Sequence, residues 1–222
     1  MGKLTLLKYP NKSHRKIVSL PKHSIRFAEF IGLMMGDGGI NNLWQANITL
    51  NAIKDSDYAV YVSKLCYDLF GVFPAVRKRK NKQALVISLA STTIIDFLVS
   101  SGLPRGNKIK AGLKIPKWIL ANKSYRIACV RGLMDTDGCL FIHNHRVSGK
   151  VYKNIGLCFT SYSVELIIQV VGIFEEFGIP AHINGKGRNI YLYRAESVSK
   201  YLKIFGTSNK RISSVYRKWL NK

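Results

Sequence analysis

The sequence predicts a mixed α+β protein built from one αββαββα module used twice. Three observations predict this: an internal repeat, strand-period alternation in both halves, and two helices each stopped at a Gly-containing turn. The repeat is the strongest. Phe30-Ile31-Gly32-Leu33-Met34-Met35-Gly36-Asp37-Gly38 is matched by Val130-Arg131-Gly132-Leu133-Met134-Asp135-Thr136-Asp137-Gly138, 100 positions later. Downstream, Leu69-Phe70-Gly71-Val72 answers Glu176-Phe177-Gly178-Ile179, and Asp96-Phe97-Leu98 answers Lys200-Tyr201-Leu202. Asn107-Lys108-Ile109 answers Asn209-Lys210-Arg211-Ile212, and Lys117-Trp118-Ile119 answers Lys218-Trp219-Leu220. Ordered matches at offsets between 100 and 107 mark a duplication.

Each module then reads in the same order. A helix runs into Gly36-Asp37-Gly38 or Thr136-Asp137-Gly138, where glycine ends it. In the first half Ala46, Ile48, Leu50 and Ala52 alternate with Gln45, Asn47, Thr49 and Asn51, the signature of a half-buried strand. In the second, Ile155, Leu157 and Phe159 alternate with Asn154, Gly156, Cys158 and Thr160. Helices are expected at Asp57–Leu69 and Val164–Phe177. Second strand pairs follow, Ala75–Arg79 with Leu85–Leu89 and Ala181–Asn184 with Asn189–Tyr193. Closing helices begin near Thr92 and Glu196. Residues 1–24 carry Lys3, Lys8, Lys12, Arg15, Lys16 and Lys22 without one acid, and read as a basic arm or leading strand. The modules are 25–122 and 123–222, joined near Lys110–Lys123.

Charge and composition restrict the function. The chain has 222 residues, 47% of them apolar, with 35 Lys+Arg against 12 Asp+Glu and a net charge of +23. Such a folded basic protein suits a polyanionic partner, because cations near phosphates release condensed counterions. No apolar run spans a membrane and no secretion signal is evident, so the expected setting is the cytoplasm, on the nucleoid, or an organelle. Cys66, Cys129, Cys139 and Cys158 form no Cys-x-x-Cys pair, which argues against zinc ribbons and disulfide frameworks and fits a reducing compartment.

The paired motifs resemble the LAGLIDADG signature, and residues 25–220 resemble a single-chain, two-motif LAGLIDADG homing endonuclease. The resemblance implies two pseudo-symmetric modules packed through their motif helices, with antiparallel sheets forming a saddle over the DNA major groove. The residues support this independently. Gly32 and Gly36 share a helix face, as do Gly132 and Thr136, and small side chains there let two backbones approach closely. That approach brings Asp37 and Asp137 together at helix C-termini, where the macrodipole disfavours crowded anions and a cation is called for. Asp135 faces away and is expected to be structural, bonding the N-terminus of the partner helix.

The expected activity is metal-assisted hydrolysis of one phosphodiester per DNA strand. Asp37 and Asp137, with the adjoining Gly36 and Thr136, are the metal-binding set for two or three Mg²⁺ (or Mn²⁺) ions. The resemblance adds short 3′ overhangs and auxiliary basic or polar groups. These map onto Lys54 and Ser161 after the second strands, and onto Lys108 and Lys210 before the last helices; serine departs from the pattern. An RNA-binding intron maturase and a catalytically silent DNA-binding protein are the alternatives on the same fold. Residue 1 is Met and the chain ends Asn221-Lys222, which favours a free-standing or intron-encoded monomer over an intein.

Alternation also names the base readers. In the first half they are Asn41, Gln45, Asn47, Thr49, Asn51, Arg77 and Arg79. In the second they are Phe141, His143, His145, Asn154, His182, Asn184, Arg188 and Arg194. The run Arg77-Lys78-Arg79-Lys80-Asn81-Lys82 reads as a phosphate-gripping hairpin tip. Because the halves differ at most of these positions, the expected target is long and asymmetric.

Overall fold

The computed structural model describes residues 17–184 and 186–221. The first module runs α1 (Ile25–Met35), β1 (Gly38–Ile40), β2 (Gln45–Asn51), α2 (Ser56–Phe70), β3 (Ala75–Lys78), β4 (Ala84–Ala90) and α3 (Thr92–Ser100). A short α4 (Lys117–Leu120) leads to the second: α5 (Lys123–Asp137), β5 (Gly138–Val147), β6 (Lys150–Thr160), α6 (Val164–Glu176), β7 (His182–Asn184), β8 (Asn189–Leu192) and α7 (Ala195–Ile204). The αββαββα order is therefore present twice. Two elements were not expected, α4 in the linker and a final helix α8 (Lys210–Leu220).

The sheets repeat one another strand for strand. Each has four antiparallel strands, ordered β1-β2-β4-β3 and β5-β6-β8-β7. One face of each is closed by apolar side chains. Ala46, Ile48, Leu50, Ile87 and Leu89 are buried in the first, and Ile155, Leu157, Phe159, Ile190 and Leu192 in the second. Helices α2 and α6 lay Val62, Leu65, Leu69 and Ile167, Val170, Phe174 against these faces. Removing that apolar surface from water is the main source of stability. The opposite faces stay polar and open.

The modules meet along α1 and α5, and glycine allows it. A Cβ on Gly32 would lie 2.0 Å from the Cys129 carbonyl oxygen, and one on Gly132 would lie 2.2 Å from that of Glu29. The two glycines thus hold the backbones of opposite helices in contact, at matched positions of the repeat. Beside this crossing Glu29, almost fully buried, accepts hydrogen bonds from Arg131 (2.5 Å), Tyr61 (2.7 Å) and Ser208 (2.8 Å). A buried carboxylate so satisfied ties both modules together.

The leading segment is described from residue 17 onward. The arm residues Lys3, Lys8, Lys12, Arg15 and Lys16 lie outside the described residues. Its end is docked: Val18 is buried, Ser19 N donates to Phe70 O at 2.9 Å, and His23 stacks on Trp118 with centroids 4.0 Å apart.

Candidate nuclease centre and nucleic-acid interface

The two motif aspartates emerge where the helix pair ends and the sheets begin. Helix α1 stops at Met35 with Gly36 as its cap, and α5 stops at Asp137 with Gly138 as its cap. A Cβ on Gly36 would meet Thr136 Oγ1 at 2.0 Å and Asp137 Oδ2 at 3.3 Å. The second aspartate therefore sits against the backbone next to the first. Thr49 N donates to Asp37 O at 3.1 Å, which extends the β1–β2 ladder and puts Asp37 on the polar face of its sheet. Continuing the β5–β6 register by one step sets Asp137 opposite Thr160, on the corresponding face.

Electrostatics single out this pair. Burial, then the Asp137 carboxylate and then Asp55, push Asp37 up to about 7, against the opposing pull of Lys108 and Arg211. Burial raises Asp137 to about 6, with Lys108 pulling it down. Asp137 is nevertheless exposed at its edge, and Asp37 is half-buried, so both are crowded by protein yet reachable from the surface. Among the described residues neither carboxylate accepts a hydrogen bond or forms an ion pair. Two anions held together without donors fit a divalent cation, a hard Lewis acid that takes carboxylate oxygens.

The structure places the four auxiliary positions in different surroundings. Lys108 Nζ donates to the carbonyls of Met35 (2.9 Å), Gly36 and Gly38 (2.7 Å). At the matched positions 100 residues on, the donor is not Lys210 but Arg211. It donates to the carbonyls of Asp135 (3.2 Å), Thr136 (3.4 Å) and Gly138 (3.1 Å). Lys210 points elsewhere and pairs with Asp57 at 2.9 Å, both side chains exposed. The cause is local: Asn209 caps α8 by accepting from Arg211 N at 2.9 Å, and the helix turns the next residue, not Lys210, toward the motif. The Gly36 and Thr136 carbonyls thus each accept from a cationic side chain.

Asp55 completes the second cation's seat from across the module boundary. It accepts from Arg211 Nε at 3.0 Å and from Asn209 at 2.9 Å. Asp135 is structural, as expected, but its partners are Thr207 and Ser208 N (2.7 Å) in the loop before α8, not the partner helix. Burial raises it to about 7. Of the remaining two auxiliary positions, Lys54 is exposed beyond β2, its backbone N–H bonded to Asn51 Oδ1 at 2.9 Å. Ser161 is buried, and its hydroxyl accepts from Ser163 N at 3.2 Å just before α6, which makes it a turn residue.

The open sheet faces carry different chemistry. On the first, Asn47 lies between Gly39 and Ser88 across the ladder and accepts from Gln45 (2.8 Å) and Ser88 (2.7 Å). Thr49, Val86 and Arg77 form the next row, and Asn51 the row after, with Arg79 continuing the edge. A cleft of about 380 Å³ beside this face is lined by Asp37, Asn41, Asn47, Thr49, Arg79 and Lys108. The first-half readers thus share one surface with the first aspartate.

On the second face the register gives rows of Phe141 with Gly156, His143 with Asn154, and His145 with Tyr152. His145 stacks on Tyr152 at 5.5 Å, and Tyr191 on Tyr193 at 5.1 Å, with His182 5.7 Å from Tyr193. Asn184 pairs with Asn189 on the outer strand. Arg188 and Arg194 do not join them. They share strand parity with buried Ile190 and Leu192; Arg188 lies over the Tyr162 ring at 4.8 Å, and Arg194 stands at the N-terminal boundary of α7 without a side-chain capping bond. Tyr152, Tyr191, Tyr193 and Ser88 share the open faces with the expected readers and were not among them, although buried Ile190 and Leu192 point to Tyr191 and Tyr193.

Fold and site define a two-module α+β protein with paired carboxylates between two open sheets. Residues 124–211 match the family described as the LAGLIDADG-like domain. No curated protein matches the sequence. Among solved structures the chain is similar to the I-LtrWI LAGLIDADG homing endonuclease bound to target DNA, at 9% identity and TM-score 0.60, over 89% of each chain. It is similar to meganuclease I-SmaMI bound to uncleaveable DNA, at 11% identity and TM-score 0.59, over 87% of this chain and 88% of that one. Against I-DmoI in complex with DNA and Mn it shows 16% identity and TM-score 0.53, over 83% and 97%. The family match covers most of the second module, and the chain shares the two-module fold of the solved LAGLIDADG homing endonuclease structures.

Proposed function

We propose that this protein is a site-specific endonuclease that hydrolyses both strands of duplex DNA at a long asymmetric target, leaving short 3′ overhangs, and works as a monomer. The observation that carries this reading is the donor-free carboxylate pair, Asp37 and Asp137, at the junction of two open polar sheets on a chain of net charge +23. A regulator that only bound DNA would gain nothing from two crowded anions facing the phosphates.

Asp37 and Asp137 would hold Mg²⁺ or Mn²⁺ ions, which supply Lewis acidity toward the phosphoryl oxygens and a lowered pKa for bound water. The chain's own groups prepare the site. Lys108 and Arg211 clamp the carbonyls at the two motif ends, fixing where each carboxylate points and adding positive charge beside it. The sheets form the saddle that sets base edges in register. Homing of an intron is the biological context this activity serves. Exposed Tyr152 and Tyr193 support a second reading, intron RNA bound through stacked bases.

The test is incubation of purified protein with a randomised duplex library and Mg²⁺, cut ends being mapped with and without EDTA. Metal-dependent cuts at one asymmetric sequence are expected; intact DNA in every condition would refute the reading. Competition of intron RNA against the selected duplex separates the second reading.

A further inference from the structure

We propose that Cys139 and Cys158 form a reversible disulfide across strands β5 and β6, a redox-sensitive site on the open face of the second sheet. The register makes them direct partners: Cys139 stands opposite Cys158, one row from Phe141 and Gly156. Side chains directly opposed in an antiparallel ladder leave the same face of the sheet. Directly opposed residues have Cα atoms about 4.5–5.5 Å apart, inside the usual disulfide range of about 4.4–6.8 Å.

Access and selectivity favour this pair among the four thiols. Cys139 is exposed and Cys158 partly so, whereas Cys66 and Cys129 are buried. Each open-face sulfur makes only weak sulfur hydrogen-bond contacts, and that of Cys158 includes the hydroxyl of its cross-strand partner Tyr191. Cys139 Sγ touches Leu140 O at 3.5 Å, and Cys158 Sγ lies 3.8 Å from Thr160 Oγ1.

The chemistry needs a disulfide oxidant such as glutathione disulfide. The Cys139 thiolate attacks one sulfur of the oxidant, breaking its S–S bond and releasing one glutathione thiol with a mixed disulfide on Cys139. Cys158 then attacks the Cys139 sulfur, releasing the second glutathione. Two electrons pass from the protein sulfurs to the oxidant, and the two thiol protons go to the released glutathiones. The bond would lie two residues beyond Asp137, so its effect on cleavage rests on the endonuclease reading; its formation does not.

The full-length protein is equilibrated in buffers of oxidised and reduced glutathione, quenched with acid, and analysed by mass spectrometry after digestion. The expected result is loss of two thiols without an added glutathione mass, a cross-linked peptide pair carrying Cys139 and Cys158, and free Cys66 and Cys129. Cys158→Ser should instead retain glutathione on Cys139. A lasting glutathione adduct on the unaltered protein, a disulfide-linked dimer, or four free thiols would overturn the proposal. In a second arm, oxidised protein should cleave its selected duplex at least tenfold more slowly and recover with dithiothreitol. A Cys139→Ser/Cys158→Ser protein, compared with itself with and without oxidant, should not respond. Unchanged cleavage by the bridged protein would show that the bond does not act on the site. Absence of cleavage in every form would count against the endonuclease reading and leave the peptide result standing.

Discussion

The two halves of this chain share a scaffold and differ in what they present. At the seam the repeat is faithful: Gly32 faces α5 as Gly132 faces α1, and both motifs end in an aspartate. On the sheets it is not. The first face offers amides, hydroxyls and arginine; the second offers histidine and tyrosine rings. Even the cations that clamp the motif ends differ, Lys108 against Arg211. Positions that must fit each other through backbone contact tolerate little change, because a single Cβ there would overlap main-chain atoms. Positions facing solvent carry no such constraint and can encode an asymmetric partner.

The seam's equivalence is broken hardest at the aspartates. Asp37→Asn and Asp137→Asn should each reduce cleavage of at least one strand by more than about 100-fold, the upper range for outer-shell metal positions, with duplex affinity nearly unchanged. Strand-resolved cleavage and binding measured on the same duplex check this. Unequal strand preferences of the two variants would show which half serves which strand. Because both groups are raised by burial, each Asn variant should also be more stable near pH 8, by about 1–2 kcal/mol or a few degrees in Tm, discounted for partial exposure.

The clamps should fail differently. Arg211→Met strips Asp55 of its guanidinium and should lower stability by about 2–3 kcal/mol, roughly 5–10 °C in Tm. Lys108→Met leaves no comparable orphaned carboxylate. Its charge lowers both motif aspartates, so its loss should move the pH–rate profile toward higher pH. Thermal melts and pH profiles of both variants separate the two roles. Equal melting curves would contradict the Asp55 contact.

Much of this was legible in the sequence, for physical reasons. A duplicated motif fixes the seam, and clean alternation in Gln45–Asn51 fixes a strand and its open face. Arg211 was not legible, because matching Asn107-Lys108 to Asn209-Lys210 ignores that Asn209 starts a helix that turns Arg211, not Lys210, toward the motif. The Cys139–Cys158 pairing was within reach. A two-residue turn at Ser148-Gly149, both with positive φ, sets Val147 opposite Lys150 and so fixes every later pair. Tyr191 and Tyr193 follow from strand parity with buried Ile190 and Leu192, whereas Arg188 and Arg194 have a DNA-binding charge but the buried parity.

Protonation offers a milder test of the same centre. Carboxylates hold a divalent cation in their ionised form. With Asp37 near 7 and Asp137 near 6 and both required in ionised form, cleavage should rise about a hundredfold per pH unit below roughly 6, about tenfold between 6 and 7, and flatten above 7. The stability sign is opposite. The folded state keeps these protons longer than the unfolded chain, so their contribution to stability falls as pH rises from about 4 to 7. Activity and Tm measured over one pH series should therefore run in opposite directions through the window.

The smallest effects should distinguish the reading faces. Asn47 is held by Gln45 and Ser88, so its amide is oriented in advance, and Asn47→Ala should cost about 1–3 kcal/mol at one base position of the first half-site. The rings of the second face suit thymine methyls better than bidentate hydrogen bonds. Replacing thymine by uracil removes one methyl, about 0.8 kcal/mol or roughly fourfold in affinity per contacted position. Measured on the selected target, that loss should appear in the half-site under Phe141, His143 and Tyr191 and be absent under Gln45, Asn47 and Asn51. Equal uracil sensitivity in both half-sites would mean that the two faces, despite their different side chains, read DNA in the same way.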